Sequence, residues 1–209
     1  MATTENVYSR IIKIVLIASL LFFNIFSIIK SAPQNVEYCA TNGSHYTGDI
    51  DNTIVNVFNL AKEKADQPFL KRRDHFLYFG RNPGFFSFVA ESAIRMGIKS
   101  TFPISLLTLL LFNLGIIFFY KWVSLVFENR EIVSLGLIFA ATTGFFLHYS
   151  ATLEDHSYTF VFFNLGIWAL VSFYREKKRW LLVLAALAYF MCCQNYFMYY
   201  LAFYVTALG

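Results

Sequence analysis

The 209-residue chain is 57% hydrophobic, 20% aromatic and only 14% charged, whereas a soluble domain is about half apolar and about 25% charged. This composition excludes a disordered chain, a collagen-like chain and a disulfide scaffold, and it favours an integral membrane protein. The net charge of +4 does not indicate nucleic acid, because the basic residues fall on loops between apolar runs and not along one stripe. We therefore expect no nucleic-acid partner.

Six apolar runs are near the length of about 20 residues that a helix needs to cross a bilayer. They lie at residues 11–29, 102–120, 132–150, 158–174, 180–193 and 196–208. The first could belong to a signal peptide, but it is long for one and lacks a small-x-small cleavage site, so we favour a retained anchor. The last two are short, and we prefer a tight hairpin over one long helix, because about 29 residues would overrun the bilayer. The fold class predicted is all-α, a polytopic helix bundle forming a single transmembrane domain over residues 1–209.

Lysine and arginine residues fall on alternate short connections between these runs, which indicates that all of them face one side. They are Arg10, Lys13, Lys121, Arg130, Arg175, Lys177, Lys178 and Arg179. The excess of basic residues marks the cytoplasmic side of a membrane protein. The N-terminus is therefore predicted to be cytoplasmic, and the long loop of residues 30–101 to lie on the outer (periplasmic, extracellular or lumenal) side.

Two amphipathic segments within this loop are predicted to form interfacial helices. Residues 52–65 place apolar side chains on one helical face and end before Pro68. Residues 83–96 begin with Asn82 and Pro83, which suit a helix start, and stop near Gly97. The apolar face of the second helix suits the membrane boundary, with Arg95 and Lys99 directed toward lipid phosphates.

Two carboxylates, Asp49 and Asp51, lie just before the first of these helices. Asp51 alone could be a helix N-cap, which is a common structural role. A carboxylate held where head groups meet hydrocarbon could instead be desolvated enough to act as a general base, or the pair could bind a divalent cation.

A second polar group, Glu154, Asp155 and His156, follows the third predicted span on the same outer side, with His148 shortly before it. A charged triplet at the end of a span is often only a solvated loop. Carboxylates and an imidazole at a membrane boundary could equally orient a substrate or hold a metal. If there is a metal site, Asp49, Asp51, Glu154 and Asp155 are its candidate ligands.

Basic residues are also present in the outer loop, at Lys71, Arg72, Arg73 and Arg81. Long loops escape the positive-inside rule, so these residues do not contradict the orientation. They form either a solvated face that touches lipid phosphates or a cationic pocket for the phosphate of a lipid-linked substrate.

The order of these parts resembles the amino-terminal half of the GT-C membrane glycosyltransferases, which include protein mannosyltransferases and aminoarabinose transferases. The resemblance rests on an anchor, an outer loop opening with Gly48-Asp49-Ile50-Asp51, a Pro-containing turn at Arg81-Asn82-Pro83, the acidic pair Glu154-Asp155 and a basic turn at residues 175–180. Relatives usually continue through further spans, so the resemblance implies that the chain is truncated at its C-terminal end.

The resemblance implies transfer of a sugar from a polyprenyl-phosphate donor to a lipid, glycan or protein acceptor, by inverting displacement. Asp49 or Asp51 would be the catalytic base, and Lys71, Arg72, Arg73 and Arg81, with Glu154, Asp155 and His156, would bind substrate. No cofactor is expected to be required, with Mg²⁺ or Mn²⁺ as the alternative.

The rival hypothesis is a non-catalytic accessory or truncated subunit on the same scaffold. A small transporter fits less well, because no ionisable residue lies mid-span.

Overall fold

The computed structural model describes residues 7–31, 33, 35–36, 84–150 and 156–195. Their secondary structure is helical apart from an isolated bridge between Asn35 and Ser100, which confirms the all-α class. The helices are α1 (Val7–Lys30), α2 (Gly84–Arg95), α3 (Phe102–Val126), α4 (Arg130–Thr142), α5 (Gly144–Tyr149), α6 (His156–Glu176) and α7 (Arg179–Asn195).

Three of these helices, α1, α3 and α6, are long and apolar enough to cross a membrane. Their 24, 25 and 21 residues correspond to about 32–38 Å at about 1.5 Å per residue, against a hydrocarbon core of about 30 Å. They coincide with the predicted runs at 11–29, 102–120 and 158–174. The helix α7 matches the run at 180–193 but is shorter, with 17 residues.

The third predicted run, residues 132–150, forms two helices and not one continuous helix. The chain forms α4 and α5, separated at Thr143, whose backbone is extended with ψ 145°. The hydroxyls of Thr142 and Thr143 donate to the carbonyls of Ile138 and Ala140, and side chains of this type compete with the helical backbone bonds. Gly144 follows directly, so the local sequence favours a break.

Two further predictions, the interfacial helix at 52–65 and the run at 196–208, lie outside the described residues. The second predicted surface helix is present as α2. It ends in a Schellman motif, in which Ile98 N–H donates to Ala93 O and Gly97 N–H to Ile94 O. Gly97 has φ +76°, the left-handed conformation that this motif requires and glycine adopts most easily.

The core of the bundle is built around Phe112 of α3, which is 1% exposed. Its ring stacks on Phe160 of α6 with centroids 4.7 Å apart and meets Phe146 of α5 edge-on at 5.0 Å. Phe23 of α1 completes the contact at 5.6 Å. Aromatic packing therefore joins four helices, while α7 packs along α6.

Polar side chains link the helices inside this apolar bundle. Asn24 of α1 and Asn113 of α3 exchange two amide hydrogen bonds of 3.2 and 2.8 Å. On the far half of α3, Trp122 Nε1 donates to Oδ1 of the buried Asn164 of α6 at 2.9 Å. Such bonds hold helices together where neither partner has water as an alternative.

These contacts fix the direction of each helix and so define two ends of the bundle. At one end α1 stops at Lys30, α3 starts after Thr101 and α6 starts at His156; we call this the loop end. At the other, Lys121 lies 5.2 Å from the Trp168 ring and Arg175 donates to Leu125 O; we call this the basic end. The orientation of these ends across the membrane stays a prediction.

Candidate functional site

The long segment after α1 leaves and returns at the loop end. Val36 N–H donates to Lys99 O at 3.0 Å, next to the bridge between Asn35 and Ser100. This pairing draws the two ends of the segment together where α1 stops and α3 starts. The segment that carries Asp49 and Asp51 is therefore attached to the loop end at both of its ends.

The helix α2 packs onto the loop end and contacts α3 and α7. Two of its buried side chains are small: Ala90 is 0% exposed and Ala93 is 4% exposed. They form a cluster with Val36, Ile104 and Tyr158. The small side chains let the backbone of α2 lie close to the bundle, which fixes its position over the start of α3.

The helix α2 also carries a buried carboxylate that sequence reasoning missed. Glu91 is only 4% exposed, and its Oε1 accepts a hydrogen bond from Arg95 Nε at 3.1 Å, one helical turn later. A carboxylate is rarely buried without a charged or hydrogen-bonding partner, because desolvation costs several kcal/mol. Arg95 is about one-third exposed, so the pair connects the protein interior to the surface.

A second polar group lies where α1, α5 and α6 meet. Lys30 Nζ is 3.3 Å from His148 Nδ1. A lysine ammonium can only donate hydrogen bonds, so Nδ1 accepts and the proton of a neutral imidazole is on Nε2. The ring of His148 meets Tyr149 edge-on at 4.7 Å, and Tyr149 stacks on His156 at 4.4 Å with 21° between the planes. Two imidazoles and a phenol thus form one continuous aromatic group.

Short hydroxyl contacts hold this group in place. Ser27 and Ser150 join α1 to the residue after α5 with their Oγ atoms 2.5 Å apart, and both are fully buried. Ser157 Oγ donates to Tyr149 O at 2.7 Å, which connects α5 across residues 151–155 to α6. The ring stack between Tyr149 and His156 is therefore set by fixed backbone positions.

Of the predicted site residues, the structure describes only His156, which is half-buried at the first position of α6. Sequence reasoning assigned no role to Tyr149, which stacks on His156, or to His148, which contacts Tyr149. Both residues lie shortly before the acidic triplet in the sequence, and that proximity was a usable signal. The other candidates lie outside the described residues: Asp49, Asp51, Lys71, Arg72, Arg73, Arg81, Glu154 and Asp155. Asp155 directly precedes His156 in the chain.

Within the described ranges, no three histidine, cysteine or acidic side chains come close enough to hold a metal. The four carboxylates proposed as metal ligands are not among those residues. Among the described residues, the loop end contains a buried carboxylate–guanidinium pair, a lysine ammonium, two imidazoles and the Tyr149 phenol. These groups can bind an anion, donate hydrogen bonds to hydroxyls and exchange protons.

Comparison with known proteins gives no further assignment: no protein-family model, curated protein or solved structure matches this chain.

Proposed function

We propose that the protein is a membrane glycosyltransferase of the GT-C type that moves a sugar from a polyprenyl-phosphate donor to an acceptor hydroxyl at the loop end of the bundle. The observation that carries this proposal is the joint position of three features at one end. The segment bearing Asp49 and Asp51 is anchored there on both sides, α2 is packed there with a buried ion pair, and His156 stacks there on Tyr149.

The proposed reaction is a single displacement at the anomeric carbon. The carboxylate of Asp49 or Asp51 takes the proton of the acceptor hydroxyl as its oxygen bonds to that carbon. The bond from the anomeric carbon to the phosphate oxygen breaks, and the electron pair leaves with the polyprenyl phosphate. Cations nearby stabilise the charge that develops on the phosphate, a role we assign to Lys71, Arg72, Arg73 and Arg81.

The polar groups of the loop end suit substrate binding more than proton abstraction. The stacked rings of Tyr149 and His156 offer a flat face and ring nitrogens, which suits contact with sugar hydroxyls. The acidic pair Glu154 and Asp155 directly precedes His156 in the chain. When the His148 imidazole is neutral and its Nδ1 accepts from Lys30, its Nε2–H is the hydrogen-bond donor. A divalent cation, Mg²⁺ or Mn²⁺, remains the alternative means of holding the phosphate, through the carboxylates.

Activity of the whole protein in proteoliposomes, with a polyprenyl-phosphate-linked sugar as donor, tests the proposal. Asn substitution of one of Asp49 and Asp51 should lower turnover about 10²- to 10⁴-fold, the usual effect of losing a general base. We favour Asp49, because Asp51 has a competing role as a helix cap. Asp66→Asn, which removes a carboxylate from the same loop, is the matched control and should retain activity.

The rival hypothesis, a non-catalytic accessory subunit, predicts a different result in the same preparation. The protein would bind the polyprenyl-phosphate donor, yet no transfer would occur with any acceptor, and Asp49→Asn would leave donor binding unchanged. Normal turnover in Asp49→Asn, Asp51→Asn and the double variant would exclude these carboxylates and leave Glu154 and Asp155 as the next candidates for the base.

A further inference from the structure

The basic turn at residues 175–180 joins α6 to α7 at the basic end of the bundle and carries four cations. They are Arg175, Lys177, Lys178 and Arg179, and all four are exposed. Glu176 is the acidic residue among them. The formal sum over these five side chains is +3, so the turn presents an excess of positive charge to its surroundings.

Contacts inside the protein neutralise only a small part of this charge. Lys178 Nζ forms an ion pair with Glu176 Oε2 at 2.7 Å, and Glu176 is the only described carboxylate that pairs with these cations. Lys177 Nζ instead lies over the rings of Phe173 and Tyr174, 5.9 and 5.5 Å from their centroids. An aromatic ring attracts a cation but carries no formal charge. The turn can therefore bind an anion that the described part of the chain does not supply.

The backbone of the turn is fixed by bonds at both ends. Lys177 has φ +56° and its N–H donates to Phe173 O at 2.8 Å, which ends α6. Leu181 N–H donates to Lys178 O at 3.0 Å at the start of α7, and Arg175 donates to Leu125 O of α3. An anion that binds here meets cations on a preformed turn, so little of the backbone has to be ordered on binding.

The turn lies at the depth of the lipid head groups. Arg175 is about 28 Å from His156 along the axis of α6, close to the thickness of about 30 Å of the hydrocarbon core that α6 is long enough to cross. Tyr174 and Trp180 flank the turn and are 71% and 55% exposed. Exposed tyrosine and tryptophan at the end of a membrane helix are typical of the membrane–water interface.

We propose that the basic turn binds the phosphate groups of anionic phospholipids in the leaflet at the basic end. Clusters of four or more lysine and arginine residues beside a membrane helix attract anionic lipids. A zwitterionic phospholipid has a phosphate but no net charge, so the formal sum of +3 favours an anionic lipid. This binding is separate from sugar transfer and does not depend on the proposed function.

The test measures lipid binding to the purified whole protein, by native mass spectrometry with phosphatidylglycerol or phosphatidylcholine of identical chains. Phosphatidylglycerol should bind more tightly. Each cation near a lipid surface is worth about a fivefold change in binding, so Arg179→Gln should weaken phosphatidylglycerol binding about fivefold. The matched control is Arg130→Gln, since Arg130 is the first residue of α4 as Arg179 is of α7. Arg130 lies between Glu128 and Glu131 in the sequence, without an excess of positive charge, and its loss should leave binding unchanged.

A variant with the opposite effect separates charge from loss of the fold. Glu176→Gln removes the carboxylate that pairs with Lys178 and raises the formal sum to +4, so it should strengthen phosphatidylglycerol binding. A misfolded protein would not bind more tightly, and circular dichroism checks the helices of each variant. Equal binding of the two lipids, equal loss in Arg130→Gln and Arg179→Gln, or no gain in Glu176→Gln would each overturn the proposal. So would displacement of the lipid by an equal concentration of free glycerol 3-phosphate, which would indicate a site for soluble anions.

Discussion

Replacing Gly115 by alanine should disrupt the closest approach between α3 and α6. A Cβ atom at this position would lie 2.5 and 2.8 Å from two ring carbons of Phe160 and 3.2 Å from the backbone Cα of Val161. The Phe160 ring has little room to turn, since it is stacked on Phe112 at 4.7 Å and meets Phe146 at 5.2 Å. The added methyl group must therefore separate the two helices or displace the aromatic core.

The expected cost follows from overpacking, which destabilises proteins by about 1–3 kcal/mol. Gly136 of α4 provides the matched control, because a Cβ built there meets nothing within 4 Å. Alanine in a helix avoids the backbone entropy that glycine loses, so Gly136→Ala should be neutral or stabilising by up to about 1 kcal/mol. The two variants should thus differ by at least about 1 kcal/mol, or about fivefold in the equilibrium constant for unfolding.

The difference can be measured by titrating the protein in mixed micelles with sodium dodecyl sulfate and following helicity by circular dichroism. Gly115→Ala should unfold at a lower detergent fraction than Gly136→Ala. In a Phe160→Ala background the penalty of Gly115→Ala should shrink, because the clashing ring is absent. Equal transitions for the two glycine variants, or a penalty just as large without the ring, would show that Phe160 does not lie against Gly115.

Two further predictions concern the helix contacts and the orientation. A double-mutant cycle of Asn24→Ala and Asn113→Ala can be measured in the same detergent titration. The coupling energy should be about 0.6–1.7 kcal/mol, the range for interhelical hydrogen bonds in membranes. Additive effects of the two substitutions would mean that the two amides do not bond to each other. In a variant with the native cysteines replaced by serine, Lys99→Cys should react with an impermeant maleimide added outside intact cells, and Lys178→Cys should not. Both positions are exposed, and the opposite pattern would reverse the predicted orientation.

Hydropathy was enough to locate α1, α3 and α6, because a span is recognised by an uninterrupted run of apolar residues close to the length that crosses the hydrocarbon core, and these three runs are 17 to 19 residues long. It was not enough for the third run. A count of apolar residues contains no information about backbone geometry. The break at Thr143 depends on side-chain hydroxyls that donate to carbonyls of the preceding turn. The sequence Thr142-Thr143-Gly144 did contain that signal.

The site was predictable only where it depends on short-range pattern. The end of α2 at Gly97 follows from one glycine, and the structure contains the expected motif. The burial of Glu91 depends on how α2 packs on the rest of the protein, and the apolar pattern of α2 alone does not reveal it. The stack of Tyr149 on His156 likewise requires the packing of α5 against α6, which no local pattern encodes.

The buried position of Glu91 needs a physical explanation. Burying a carboxylate costs several kcal/mol more than burying the neutral side chain of a glutamine. Glutamine has nearly the same volume and keeps a carbonyl oxygen that can accept from Arg95 Nε, so Glu91→Gln should change stability by no more than about 1 kcal/mol. Alanine removes the acceptor and leaves a cavity, so Glu91→Ala should cost about 2 kcal/mol or more. The same detergent titration compares them. If glutamine is as destabilising as alanine, the negative charge itself holds α2 on the bundle. If glutamine is tolerated, a neutral hydrogen-bond acceptor for Arg95 is sufficient.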